Sequence, residues 1–432
     1  MKVIVKAPNM LKFSLTVMNF LEYAVWGAYL TSMGSYLVKI GLAENIGWFY
    51  SVQGIVSLFM PAIIGIIADR WLQAQRLLSL CHLLAGVFML SAALYAQMHA
   101  DDDGVLFSIF FTLYSLSMAF FMPTIALANS VAYSALEGAG LDTVKAFPPI
   151  RVFGTIGFIC SMWIVDLGDM QQTTGQFIFS AALSLLLSAY SLTLPACPVH
   201  RSDEHKSLAQ AFGLNAFYLF KQKRMALFFI FSMCLGICLQ ITNGFANPFI
   251  YSFSAIEEYA QTFGVLHANI LISLSQMSET CCILLIPFFL SHFGIKKVML
   301  IAMLAWALRF ALFAIGNPGT GVWLFILSMI VYGVAFDFFN VSGSLFVDKE
   351  TDLSTRSSAQ GLFMMMTNGL GATIGTLSAQ GIINHYVYSL PPTASGQEII
   401  TGWDICWTIF AAYALIIAIL FATFFKYKHV NA

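Results

Sequence analysis

Apolar residues in this chain run in long blocks separated by short polar breaks. Six blocks fall near 12–37, 46–69, 75–98, 104–136, 148–166 and 173–194, and six more near 225–253, 265–291, 296–316, 321–347, 357–384 and 402–425. A helix of about 20 residues crosses roughly 30 Å of hydrocarbon with its backbone bonds satisfied internally. The pattern therefore predicts an all-α membrane protein with twelve transmembrane helices. The polar stretch at 195–224 separates the two sets of six, predicting an N-terminal domain over 1–194, a cytoplasmic linker and a C-terminal domain over 225–432.

The charges test that count, because Lys and Arg collect in cytoplasmic loops. With both termini inside, cytoplasmic segments hold Arg70, Arg76, Lys145, Lys221, Lys223, Arg224, Lys296, Lys297, Lys349, Arg356, Lys426 and Lys428. The opposite loops hold essentially Lys39 and carry acids such as Glu257 and Glu258. One missed or extra helix would scramble this alternation. Gly65, Asp69 and Arg70 after the second block echo Gly294, Lys296 and Lys297 after the eighth, and Arg151 with Gly154 echo Arg356 with Gly361. Repeats in matching loops mark duplicated transporter halves, two six-helix domains with inverted internal repeats.

Composition agrees: 59% of the 432 residues are hydrophobic and 9% charged, against about 25% charged in soluble domains. A formal net charge of −1 offers no basic face for nucleic acid. The first apolar block runs past Leu30, longer than a signal-peptide core, and reads as a retained span. Cys160, Cys234, Cys238, Cys281 and Cys282 lie in spans without metal-ligand spacing and read as packing residues. With no P-loop, GxSxG elbow or HExxH pair, the chain reads as no enzyme, with neither metal nor cofactor, so uphill transport would draw on an ion gradient.

An ionisable side chain deep in a span costs at least about 2.5 kcal/mol on insertion scales, which makes each one a candidate for function. Glu22, Arg151, Glu279, Arg309 and Asp337 stand in spans one, five, eight, nine and ten. Residues three, four or seven apart share a helix face, which groups Arg151, Thr155 and Phe158; Gln240 and Asn243; Gln276 and Glu279; and Tyr332, Phe336 and Asp337. Glu22, Trp26 and Tyr29 form a further stripe. Amides and acids would bond hydroxyls while rings stack a flat solute, which suits a nucleoside and also a sugar or glycoside. No phosphate-sized basic cluster lies at that depth. Asp337, Glu279 and Glu22 are the acids that could carry a proton inward. Bland roles compete: Arg309, near the outer half of its span, could snorkel or pair locally, Gln240 and Asn243 could glue helices, and His82 and His385 read as satisfied or wetted histidines. Asp69 and Arg70 read as an inner-gate clamp. A solute sensor would want a larger soluble output domain than about 30 residues offers.

Along nearly its whole length the chain resembles the nucleoside:proton symporter family of the major facilitator superfamily. The stretches WGAYLTSMGSY (26–36), FPPIRVFGTIGF (147–158), LQITNGFANPF (239–249), SLSQMSET (273–280), SMIVYGVAFDFFNVSGSLFV (328–347) and FKYKHV (425–430) carry the likeness. The resemblance implies a proton-driven nucleoside importer of a bacterial inner membrane, working by alternating access around a mid-membrane site between the two domains. By motif position it implies that Arg151, Thr155, Phe158, Gln240, Asn243, Gln276, Glu279, Tyr332, Phe336 and Asp337 bind the nucleoside. Separately, the chain is expected to be a monomer in the bilayer. Glu22 departs from the family pattern, which has glutamine there; the added acid would alter proton coupling or purine preference, or pair with a neighbour.

Overall fold

The computed structural model of the chain describes residues 8–99, 104–197, 214–352 and 355–427. Among them the regular structure is helical, without strands. In chain order the principal helices are α1 (Pro8–Gly27), α2 (Met33–Lys39), α3 (Ile46–Arg70), α4 (Ala74–Met98), α5 (Phe107–Phe121), α6 (Thr124–Gly138), α7 (Thr143–Leu167) and α8 (Gly175–Ser191). They continue with α9 (Lys223–Ser252), α10 (Ala268–Ile315), α11 (Val322–Glu350), α12 (Arg356–Met364), α13 (Ala372–Ile383) and α14 (Gly396–Phe424). Of the linker expected at 195–224, residues 198–213 lie outside the described set, and Leu214–Lys221 forms a 3₁₀ helix.

Eight helical stretches are long and apolar enough to cross a bilayer by length and composition. The remaining crossings are hidden by local chemistry. The 48 residues of α10 would span about 72 Å as one rod, at 1.5 Å per residue. Instead Gly294 adopts φ 75°, a left-handed value open to glycine. The Arg309 guanidinium then donates to Ser275 Oγ at 3.4 Å, so the two limbs lie side by side. The first span is α1 and α2 joined by a short irregular turn, whereas α5 and α6, meeting at Pro123, already count as one of the eight stretches. The eleventh is α12 and α13 joined by a π-helical stretch, Met365–Gly371, and extended by a second, Asn384–Tyr388. Gly175–Ser191, at 17 residues, is a short apolar helix. With these the chain has the twelve-helix major facilitator fold.

The helices group into two compact units, residues 1–42 with 55–207, and residues 43–54 with 208–432. The start of α3 joins the second unit through Gln380, whose amide accepts from the Gly47 N–H and donates to the Ala43 carbonyl at 3.0 Å.

Without a hydrophobic drive between helices in lipid, small residues and side-chain hydrogen bonds hold a bundle together. In the first unit, a Cβ at Gly157 would collide with the Phe20 carbonyl and one at Gly27 with the Phe158 carbonyl, so α1 and α7 run backbone to backbone. Ser180, Ser184 and Ser188, each one turn apart on α8, donate to the carbonyls of Val25, His82 and Ser79 at 2.8, 2.9 and 2.7 Å. In the second unit, Gly236 on α9 abuts Thr367, Gly375 abuts Ile237, and Gly333 on α11 faces the Ser278 carbonyl. Rings of Phe249, Phe313, Phe325, Trp403 and Trp407 interlock at centroid distances of 4.7 to 6.3 Å and form an aromatic core.

Candidate functional site

In the first unit, the close approach of α1 and α7 aligns side chains from both. The Arg151 guanidinium lies over the Tyr23 ring at 4.0 Å from its centroid, and Gly154, one turn on, leaves room for this pair: a Cβ there would come 2.6 Å from the Tyr23 ring and 2.9 Å from Arg151 Nη1. Phe158 is buried edge-on against Trp26, with ring centroids 6.3 Å apart. Arg151 and Thr155 are half-buried on the same face of α7.

Glu22 has no exposure and pairs with His82, which also has none. Its Oε2 lies 2.8 Å from His82 Nε2, and its Oε1 accepts from the Thr124 hydroxyl at 2.6 Å. The Ser184 hydroxyl donates to the His82 carbonyl, so it receives a proton from His82 Nδ1, at 3.0 Å. That leaves one proton to be held between Nε2 and Oε2. His82 is thus a fully bonded partner of Glu22, tying α1, α4, α6 and α8 together.

The second unit gathers more of the candidates. Gln240 is buried, Asn243 half-buried, and the Asn243 amide donates to Gln240 Oε1. On α11, Tyr332 and Phe336 stack with centroids 5.6 Å apart and planes within 6°. Trp306 meets Tyr332 edge to face, at 90° and 5.9 Å. Gln276 on α10 is in hydrogen-bonding reach of Tyr332, which also lies within the electrostatic range of Glu279 and Asp337. Asp337 is 4% exposed, interacts with the Glu279 charge, and leaves Oδ2 without a hydrogen-bond partner among the described residues. A buried acceptor of this kind is expensive unless something else supplies its partner.

Of its two expected structural roles, Arg309 takes local pairing. It does not snorkel: it is 2% exposed, donates to the Ser328 carbonyl at 2.7 Å, and lies 4.7 Å from the Tyr332 ring centroid and 5.4 Å from that of Phe313. The Ser328 backbone carbonyl and the rings of Tyr332 and Phe313 hold the charge inside the bundle. It backs the Tyr332 ring from behind the candidate wall, a role the sequence reading missed. His385 is exposed and touches Tyr386, as a wetted histidine would. Cys281 is exposed rather than packed, whereas Cys81, Cys197, Cys238, Cys282 and Cys406 are buried. The side chains of Asp69 and Arg70, expected at an inner gate, lie outside the described residues.

Beside the stacked pair the second unit contains a small, water-sized cleft whose walls include Gly236, Trp306, Phe336, Phe339, Asn340 and Thr367. Asn340 was not among the expected residues, although it continues the spacing Tyr332, Phe336, Asn340 at four-residue intervals.

A two-unit helical bundle with buried acids, amides and stacked rings in its spans is a secondary transporter of the major facilitator fold. The chain belongs to the nucleoside H⁺ symporter family, whose model matches residues 9–430. It is 50% identical to the xanthosine permease of Escherichia coli K12 over 96% of each chain. It is 46% identical to the nucleoside permease NupG of the same strain, over 98% of this chain and 97% of that one. A crystal structure of the nucleoside transporter NupG superposes with a TM-score of 0.86 at 45% identity, covering 97% of this chain and all of that one. The protein is accordingly a membrane transporter and not an enzyme.

Proposed function

We propose that this chain imports nucleosides together with protons across a bacterial inner membrane, as a monomer with both termini in the cytoplasm. In this reading the domains 1–194 and 225–432, joined by the linker 195–224, alternate access to one substrate site, and Asp69 with Arg70 clamps its inner gate. Arg151, Thr155 and Phe158 contribute from the first domain; Gln240, Asn243, Gln276, Glu279, Tyr332, Phe336 and Asp337 contribute from the second. The observation that carries the reading is the wall on α10 and α11, where the parallel rings of Tyr332 and Phe336 adjoin Gln276, Glu279 and a buried Asp337 with an unsatisfied oxygen. Rings suit a base, and acids and amides suit ribose hydroxyls. The relatives, a xanthosine permease and a nucleoside permease by name, support the same substrate class.

Asp337 and Glu279 are close enough that two negative charges there would repel. A proton bound at this pair removes the conflict and would couple solute entry to the proton gradient; Glu22 is the third candidate carrier. Uptake of labelled adenosine and uridine into cells lacking their own permeases, with and without a protonophore, tests both halves of the reading. Accumulation should collapse with the gradient, and Asp337→Asn should abolish accumulation while the protein still reaches the membrane in normal amount. Persistence of accumulation without the gradient sinks symport; entry of neither nucleoside sinks the substrate class, in favour of another polyhydroxylated solute.

A further inference from the structure

We infer that Arg309 is a positioning residue for solute binding: its guanidinium fixes the Tyr332 ring in the plane it shares with Phe336. The inference rests on the nucleoside reading above, in which Tyr332 and Phe336 belong to the binding wall, and it gives a task to a buried cation that the reading does not use.

The guanidinium is held from both limbs of α10 and from α11. Its Nη1 donates to the Ser328 carbonyl at 2.7 Å and reaches Ser275 Oγ at 3.4 Å, and its Nη2 lies 3.9 Å from Met329 Sδ. The Ser328 hydroxyl in turn donates to the Arg309 carbonyl at 3.1 Å, so the two helices grip each other reciprocally at this level. Ser328 stands one turn before Tyr332 on α11, and Ser275 one turn before Glu279 on α10. From that anchorage the guanidinium carbon lies 4.7 Å from the Tyr332 centroid, inside the range of about 6 Å for a cation–π contact. Trp306, three residues before Arg309 on the same limb, meets the same ring edge to face. Cation and indole together hold the ring in one orientation, parallel to Phe336 within 6°.

The positive charge demands a reason. Arg309 is 2% exposed, its Nε has no hydrogen-bond partner among the described residues, and no described carboxylate forms an ion pair with it. Burying a charge without a counter-ion is costly, and an apolar side chain of similar length would bridge the same helices without that cost. What an apolar side chain lacks is attraction for the face of a ring, an attraction that grows when water is excluded. A phenol ring free to turn would have to be immobilised each time a solute stacked on it, and that lost freedom weakens binding; a ring fixed beforehand avoids the loss. The competing role is that of a distant counter-ion to Glu279 and Asp337, whose charges also reach Tyr332. That role needs no ring.

The experiment is a double-mutant cycle on adenosine uptake by the full-length protein in permease-deficient cells, with KM and Vmax per copy at the membrane measured for Arg309→Met, Tyr332→Leu and both together. Arg309→Met should raise KM roughly 5- to 30-fold, the worth of a desolvated cation–π contact. Tyr332→Leu should raise KM too, and adding Arg309→Met to it should change KM by less than about twofold, because the cation acts through the ring. An equal further loss in the double variant overturns the inference in favour of the counter-ion role, and a loss confined to Vmax per copy overturns it in favour of a purely structural one. Should Arg309→Met fail to reach the membrane, Arg309→Lys, which keeps the charge but not the planar fork, goes through the same cycle: KM must rise in the parent and not in the Tyr332→Leu protein. Where uptake is too slow to yield a KM, adenosine affinity of the purified proteins completes the cycle on the same terms. A parent that carries neither adenosine nor uridine overturns the nucleoside reading, and an unchanged KM in Tyr332→Leu overturns the wall. The inference alone fails when Tyr332→Leu raises KM and Arg309→Met does not.

Discussion

At the scale of single residues, the buried polar groups carry both the stability and the chemistry of this protein. Glu22 and His82 are separated by 60 positions and share no motif, so no periodicity could pair them. Only the packing of α4 against α1 and α8 reveals that this acid is paired with a histidine. Removing one member of a buried pair strands the other, at a cost of about 3–5 kcal/mol. His82→Ala should therefore lower the thermal midpoint of the detergent-solubilised protein clearly. Glu22→Gln should be milder, because a glutamine can still accept from Thr124 and bond His82. Thermal unfolding of the two variants side by side checks the order, and the reverse order would mean that the pair is not what holds these helices. The same Glu22→Gln protein, assayed for uptake across pH, decides whether the acid takes part in coupling: an unchanged profile and substrate order make it structural.

Arg309 and Asn340 teach a related lesson. A cation in the outer half of an apolar block reads as a snorkelling side chain when only its own helix is visible. The acceptors that retain it, Ser275 and the Ser328 carbonyl, come from the other limb of α10 and from α11. Asn340 was legible in principle as the next step after Tyr332 and Phe336, but an uncharged amide raises no alarm in an apolar block. The charged members of the wall, Glu279 and Asp337, were conspicuous for the opposite reason, that burying them demands an explanation.

Among elements, hydropathy located the spans well and their internal breaks poorly. Block edges followed from length and polarity, which depend on composition alone. The turn after Gly27, the break at Pro123 and the two π stretches depend on how neighbouring backbones fit. The contact of α1 with α7 is the clearest case, since it rests on Gly27 and Gly157 having no side chain. Gly157→Val would drive a branched side chain into the Phe20 carbonyl. Overpacking of this kind costs typically about 1–3 kcal/mol, and by shifting α7 it would also move Arg151 off Tyr23. The expected outcome is a lower thermal midpoint together with a raised nucleoside KM. A raised KM without loss of stability would instead point to a direct effect on the site.

For the whole molecule, the chain divides into two compact units, and the first turns of α3 group with the second. Hydropathy could not show this, because Gln380 bonds to backbone atoms whose identity is independent of sequence. A ligand that binds the folded protein alone stabilises it by about 2.7 kcal/mol at a hundredfold excess over Kd. Adenosine should raise the thermal midpoint of the purified protein, and Asp337→Asn should blunt that rise if the acid contacts the solute. An equal rise in both proteins would remove Asp337 from the binding surface and leave it a role in proton handling only.

The π-helical turn at Met365–Gly371 has a practical corollary for engineering. A helix that carries surplus backbone in one turn can shed a residue there and close into ordinary α geometry while the turns on either side keep their facing. A one-residue deletion within 365–371 is thus absorbed locally, whereas the same deletion at 372–374 would rotate everything beyond it by about 100°. Only the second would swing Gly375 away from Ile237, and with it the tight seam that joins α13 to α9.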